Sequence, residues 1–267
     1  MAKEIRIVIV EDDPFSRDLM SMLLTRDWRT QVVGEAGTFD ELEGLLDPRR
    51  RRIDLIILDS EYPGEPDWPF EVASRVEKQP GSPAILYAGT RYDRRVSQRV
   101  AAARRGGYVL KNEILYALPS AASFVFAGHL VITPGIWADA PRLTFPVGTL
   151  VLDGRKTAAD LTRRERELVR LSMVFNLSIR DIADELVLSQ GWVSEIVSAV
   201  YRKLGMREIL SGEVSLNDYF EDAAVLEHCE QIIREAKSGQ NGLPFRKGPW
   251  MATLAFHLIT QPRVQEA

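Results

Sequence analysis

The sequence predicts an α/β fold, a doubly wound parallel sheet of five β-α units, followed by an all-α part built on a helix-turn-helix. Three observations predict it. Residues 53–59 (Ile-Asp-Leu-Ile-Ile-Leu-Asp) are an apolar run ending abruptly in a carboxylate, the pattern of a strand buried on both faces. Apolar runs alternate with helically spaced segments five times in the first half of the chain. From Leu161 to Gly205 three capped, helically spaced segments follow one another closely. Ligands of doubly wound sheets sit beyond the carboxyl ends of the strands, which is where Asp59 falls. The run at 5–10 ends in Glu11-Asp12-Asp13. If these strands are neighbours, several carboxylates converge at one rim, and an all-oxygen site calls for a hard cation such as Mg²⁺.

Composition bounds the function. A chain of 267 residues has room for two compact domains. Its 45% hydrophobic and 27% charged residues are those of a globular protein. The net charge of −4 advertises no polycation, so a nucleic-acid site has to be a local patch. One cysteine, Cys229, excludes an internal disulfide framework, and three scattered histidines give no zinc spacing. No apolar run reaches the roughly 20 residues of a membrane helix and no signal peptide precedes the first strand, so a cytoplasmic protein without a membrane partner is expected.

Strand one spans 5–10, and Pro14 opens a helix with Phe15, Leu19, Met22 and Leu23 at helical spacing. Residues 31–36 form strand two. Thr38 and Glu41 make a capping box for a helix carrying Phe39, Leu42, Leu45 and Leu46, which Pro48 ends. The basic run 49–52 reads as a solvated loop. After strand three come a Pro/Gly-rich loop and a helix through Phe70, Val72, Ala73 and Val76. Residues 83–89 form strand four, and Val96, Val100 and Ala103 mark the next helix, which Gly106-Gly107 breaks. Strand five, 108–112, holds Lys111, and the helix after it has Pro119 as an interruption.

These residues resemble the receiver domain of two-component response regulators, the CheY-like fold, over about 3–127. The resemblance implies that Glu11, Asp12 and Asp59, with the backbone carbonyl of Glu61, hold Mg²⁺. It implies that Asp59 accepts a phosphoryl group from a sensor histidine kinase and that Lys111 pairs with the phosphoryl oxygens. Tyr108 matches the aromatic switch position. The partner switch position, where the family carries Ser or Thr, holds Ala88. The nearest hydroxyl, Thr90, lies roughly 6–7 Å further along a strand rising about 3.3 Å per residue.

Residues 129–157 hold three prolines and read as a linker, with a small hairpin of 143–145 and 149–152 around Gly148. Thr162 with Glu165 caps a helix bearing Leu168, Leu171, Val174 and Phe175. Ser178 caps a shorter one through Ile182, Ala183 and Leu186. Ser189 opens a third with Val193, Ile196, Val197, Val200 and Leu204 inward, and Gly205 stops it. The wording of 161–167, 182–186, 193–197 and 202–205 is similar to the LuxR/NarL/FixJ type of DNA-binding domain over about 158–206. That resemblance implies that the third helix enters the major groove and that the protein binds double-stranded DNA as a homodimer on paired half-sites. The DNA-facing candidates are Arg180, Gln190, Trp192, Ser194, Glu195, Ser198, Arg202 and Lys203. Residues 155–203 carry nine basic against seven acidic residues, a modest net of +2 for phosphate contact. Ser194 stands where the family usually has lysine, and Glu195 would have to accept from a cytosine amino group.

The chain continues about sixty residues past Gly205. Ser215 caps a helix through Leu216, Tyr219, Phe220, Ala223, Leu226 and Ile233, ended by Gly239 and Gly242. After Gly248, the spacing of Met251, Leu254, Ala255, Leu258 and Ile259 predicts a second amphipathic helix. Such helices pack on the helix-turn-helix, pair between protomers or dock a protein partner. The expected organisation is a receiver at 1–128, a linker at 129–157, a helix-turn-helix domain at 158–207 and a helical extension at 208–267. The expected function is that of a response regulator, a non-enzyme in which phosphoryl acceptance at Asp59 controls dimerisation and DNA binding. The alternative is a protein-interaction adaptor with little DNA binding or without phosphorylation.

Overall fold

The computed structural model describes residues 4–46, 52–62, 64–78, 81–155, 161–220, 222–238 and 249–267. Pro48, most of the basic run at 49–52, Gly239, Gly242 and Gly248 lie outside the described residues. The chain divides into a sheet unit (1–156 with 262–267) and a helical unit (157–261).

The sheet unit begins as read. β1 (Ile5–Val10), α1 (Pro14–Arg26), β2 (Thr30–Ala36), α2 (Phe39–Leu45), β3 (Leu55–Asp59), α3 (Trp68–Glu77), β4 (Ala84–Gly89), α4 (Arg94–Ala102) and β5 (Gly106–Leu110) give the parallel order β2-β1-β3-β4-β5. The Ile/Leu/Val strands are buried because helices cover both faces. Asp13 caps α1 by accepting from the amides of Phe15 and Ser16, with Pro14 in the first turn. Thr38 caps α2 as expected, but the Glu41 carboxylate takes the amide of Gly37 (2.7 Å), one residue before the cap.

β5 starts two residues earlier than the sequence suggests. Gly106 and Gly107 open the strand instead of merely ending a helix. A Cβ on Gly106 would lie 2.4 Å from the Ile85 carbonyl oxygen, and one on Gly107 would lie 2.3 Å from that of Val131, so only glycine fits between these strands. Lys111 correspondingly starts the four-residue helix α5 (Lys111–Ile114). The helix is interrupted as expected: after the 3₁₀ turn (Leu115–Ala117) it restarts as α6 (Leu118–Phe126), with Pro119 in the first turn.

The expected linker is part of the sheet. β6 (Leu130–Ile132) pairs parallel with β5, α7 (Pro134–Asp139) follows, and β7 (Leu150–Asp153) pairs parallel with β6. The hairpin is not formed. Gly148 does turn the chain with φ +83, but β7 pairs with β6 and with β8 (Arg263–Glu266), which runs antiparallel to it. The compact sheet unit therefore runs on past 128 to 156, and among the described residues the sheet has eight strands ending β5-β6-β7-β8. A three-residue strand followed at once by a proline-started helix carries too little periodicity to be read in advance.

The helical unit contains α8 (Arg163–Val169), a π turn (Arg170–Val174), α9 (Ile179–Glu185), α10 (Gln190–Lys203), α11 (Met206–Ser211), α12 (Ala223–Ser238) and α13 (Pro249–Thr260). All three expected caps form: Thr162 with a full capping box, Ser178 and Ser189. Gly205, at φ +66, separates α10 from α11. Ser215 caps only a 3₁₀ turn (Leu216–Asp218), so the long tail helix begins later, at Ala223. α13 packs against the π turn and α12, and Leu254, Ala255, Leu258 and Ile259 are buried. These apolar faces are thus core of the helical unit, and the division at 207 disappears. Among the described residues no helix is long and apolar enough to cross a membrane.

β8 covers the edge of β7, and Val264 packs on the core beneath α6. Deleting residues 263–267 is expected to lower the thermal midpoint of the full chain by several degrees, read by circular dichroism. An unchanged midpoint would mean that β8 adds nothing to the sheet.

Candidate phosphoryl-acceptor site

The acidic rim lies where the strand order reverses, between β1 and β3. Asp59 ends β3, and Glu11 and Asp12 directly follow β1, whose register pairs Val10 with Leu58. One ligand atom from each of Glu11, Asp12 and Asp59 lies within 4.8 Å of the others. Glu11 and Asp59 are buried, while Asp12 is half-buried. Lys111, entering from α5, bridges two of them: its Nζ donates to Glu11 Oε2 at 2.7 Å and lies 3.2 Å from Asp59 Oδ2. The backbone N–H of Glu61 donates to Asp59 Oδ1 at 3.0 Å.

Electrostatics follow from this crowding. Burial first, then the neighbouring Glu11 carboxylate, push the Asp59 carboxyl up to about 7, against the opposing pull of Lys111. Burial works against the charge of Lys111, but Asp59 and Glu11 outweigh it and raise its ammonium above the ordinary value. At the rim the three carboxylates of Glu11, Asp12 and Asp59 meet, with the Lys111 ammonium against two of them. An all-oxygen donor set of this charge fits Mg²⁺, which would remove the repulsion that raises Asp59.

Glu11, Asp12, Asp59, Glu61, Thr90, Arg91, Arg95 and Lys111 are among the residues lining the pocket. The Glu61 carboxylate accepts from the Thr90 hydroxyl (2.5 Å) and the Arg91 amide (2.8 Å). Burial opposes its charge, but these bonds and Arg91 hold the Glu61 carboxyl below its usual range. The Tyr108 hydroxyl donates to the Arg91 carbonyl (2.6 Å) and accepts from the Asp93 amide (2.9 Å). Burial raises that hydroxyl to about 12. The two switch residues therefore do not act on each other through a hydroxyl. Ala88 is buried beside Asp59 in the β3–β4 register and offers only a methyl, while Tyr108 ties down the loop after β4.

Thus Glu11, Asp12, Asp59 and Lys111 meet as expected. Glu61 lines the same pocket through its amide and carboxylate, and its carbonyl as a metal ligand stays an expectation. Arg91 and Arg95 were not legible in the sequence, because an arginine in a loop or first turn looks like ordinary surface.

In the helical unit, α10 exposes Gln190, Trp192, Glu195, Arg202 and Lys203, with Ser194 and Ser198 half-buried beside them. Val193, Val197 and Val200 face inward. The cations are partly engaged: Lys203 Nζ is 2.8 Å from Glu165 Oε2, and Arg180 lies 3.9 Å from Asp184. The Trp192 ring lies under the Arg164 guanidinium at 5.5 Å. The Ser198 hydroxyl is turned to the Ser194 carbonyl at 2.6 Å.

No protein-family model matches the chain. It is similar to the Fimbriae Z protein of Escherichia coli K12, 26% identical over 221 residues, which is 81% of this chain and 96% of that protein. It is also similar to Response regulator GacA of Pseudomonas viridiflava, 23% identical over 76% of this chain and 90% of that protein. Among solved structures, the RcsB response regulator of Salmonella typhimurium aligns over 86% of this chain and 98% of its own, at 18% identity and a TM-score of 0.43.

The raised Asp59 carboxyl has a consequence for stability. Between the ordinary aspartate range and about pH 7 the folded form holds a proton that the unfolded chain has lost, so stability falls as pH rises through that window. Asp59→Asn is expected to stabilise the metal-free protein by on the order of 2 kcal/mol at pH 8. The gain should shrink towards zero at pH 5, where Asp59 is itself protonated. Denaturant unfolding at the two pH values reads this, and equal gains at both would reject it.

Proposed function

From its similarity to Response regulator GacA and the other proteins above, we propose that this chain is a two-component response regulator, a phosphorylation-controlled transcription regulator with Asp59 as the acceptor. The observation that carries the reading is the meeting of Glu11, Asp12 and Asp59 within 4.8 Å, with Lys111 Nζ bonded across Glu11 and Asp59. An Asp59 Oδ attacks the phosphorus of a phosphohistidine of a sensor kinase or of a small acyl phosphate. A P–O bond forms to Asp59, the bond to the leaving group breaks, and the electron pair leaves with that group. Lys111 stays close enough to hold a phosphoryl oxygen once the carboxylate it now neutralises is esterified. Mg²⁺ held by Glu11 and Asp12 beside Asp59 supplies charge neutralisation for the transferring group. The acceptor is the protein's own side chain, so this is a regulator and not an enzyme acting on a separate substrate.

The output reading rests on α10. Its exposed Gln190, Glu195, Arg202 and Lys203 and half-buried Ser194 and Ser198 form a face a major groove would meet, with Arg180 alongside for phosphate and Trp192 partly occupied by Arg164. A homodimer on paired half-sites, in the cytoplasm, completes the proposal. One observation favours the adaptor alternative: Lys203 and Arg180 already face carboxylates of their own unit, which weakens phosphate contact.

Incubation with acetyl phosphate and Mg²⁺ is expected to add the mass of one phosphoryl group. Asp59→Asn or EDTA should abolish labelling, and Lys111→Ala should slow it by roughly 10²-fold. Labelling that persists in Asp59→Asn removes Asp59 from the scheme. A randomised-oligonucleotide screen with and without acetyl phosphate reads the output, and no enrichment in either state favours the adaptor.

A further inference from the structure

The helical unit is an insertion between two adjacent strands. The chain leaves the sheet after β7 and comes back as β8, whose antiparallel register sets Asp153 opposite Arg263. The departing and returning segments thus start from neighbouring strand ends, roughly 5 Å apart as cross-strand pairs are. Whatever displaces the end of β7 acts on both roots at once.

That end of β7 is bolted to the helix that carries Lys111. Arg155 lies 2.8 Å from Glu113 Oε1 and donates through Nε to Asp153 Oδ1 at 2.9 Å. The Glu113 carboxylate is buried and also accepts the Gly135 amide at 2.7 Å. Backbones close the joint: a Cβ on Gly154 would fall 2.0 Å from the Ile114 carbonyl oxygen and 3.0 Å from that of Glu113. β7 and α5 therefore cannot slide past each other independently. α5 has only four residues, so Lys111 at its start and Glu113 share one turn. Leu115, directly after it, has φ +43 and ψ −120, a strained conformation for a leucine.

We propose that the Glu113–Arg155 ion pair is a positioning joint that couples occupancy of the Asp59 pocket, through Lys111 and α5, to the two strand ends from which the helical unit departs. This rests on the reading of Asp59 as phosphoryl acceptor. When a phosphoryl group draws Lys111 away from Glu11, the turn it begins moves as a piece. Glu113 then carries Arg155, Asp153 and the paired β8 with it. Neither Glu113 nor Arg155 lines the pocket, so their substitution leaves the acceptor chemistry in place.

The test is hydrogen–deuterium exchange of the full chain with and without Mg²⁺ and beryllium fluoride, a phosphoryl mimic. In the wild type, peptides covering 57–62 and peptides covering 150–155 and 263–267 are all expected to change exchange rate, by threefold or more. In Arg155→Met and Glu113→Gln the 57–62 response should persist while the β7 and β8 responses vanish. Arg155→Lys, which keeps a cation, should restore part of them and guards against a folding defect in Arg155→Met. A pocket response without a β7 and β8 response in the wild type overturns the coupling alone. Coupling that survives both substitutions overturns the role of the ion pair. No response at 57–62 in the wild type sinks the phosphoryl-acceptor reading itself, and the joint with it.

Discussion

Three carboxylates forced together at the tips of two parallel strands, with one lysine to balance them, are the constraint on which the molecule turns. Two unit charges 4.8 Å apart repel by about 3 kcal/mol at the effective dielectric of a partly buried site. A flexible loop would relax away from that cost. The rim cannot, because Glu11 and Asp59 extend directly from β1 and β3, whose Ile, Val and Leu side chains are buried between two helical layers. The hydrophobic sheet holds the charges in place, and the charges make the pocket receptive to a cation and to a group that consumes one carboxylate's charge.

The pocket was legible in the sequence for the same reason that it is rigid. A doubly wound sheet puts ligands beyond its strand ends, so a carboxylate terminating an apolar run announces its own location. Glu11, Asp12, Asp59 and Lys111 each adjoin such a run. The caps were equally legible, because Thr38, Thr162, Ser178 and Ser189 act on amides three residues away. What escaped was everything long-range in sequence and weak in pattern. Arg155 meets Glu113 across 42 residues, and β8 meets β7 across more than a hundred, with nothing local to mark either pairing. The three prolines of 129–157 suggested a linker, yet prolines at the start of α7 and in the turn before β7 punctuate an ordered crossover.

Extending the sheet past β5 changes what that strand is. With β6, β7 and β8 added, β5 is interior: Tyr108 pairs on one side with Tyr87 and on the other with Ile132, and it is fully buried. An edge strand can adjust its register or lean at modest cost, whereas an interior strand with ladders on both sides cannot. Side-chain freedom at Tyr108 is reduced accordingly, and its hydroxyl is spent on the Arg91 carbonyl and the Asp93 amide.

Ala88 belongs to the same logic. A hydroxyl at that position would give the phosphoryl group a handle on β4 and, through the loop beyond it, on the aromatic side chain. Without one, the polar contacts reaching that loop from the acceptor side come through the carboxylate of Glu61, which grips Thr90 and Arg91. Asp59 also contacts Lys111, which opens a helix of only four residues. With a methyl at Ala88 and the Tyr108 hydroxyl already engaged, the lysine end of β5 still leads by backbone and ion pair to the strands from which the helical unit departs. The sheet extension and the methyl of Ala88 thus leave the α5–β7 joint as a packed, ion-paired connection between the acidic rim and the strands that flank the helical unit.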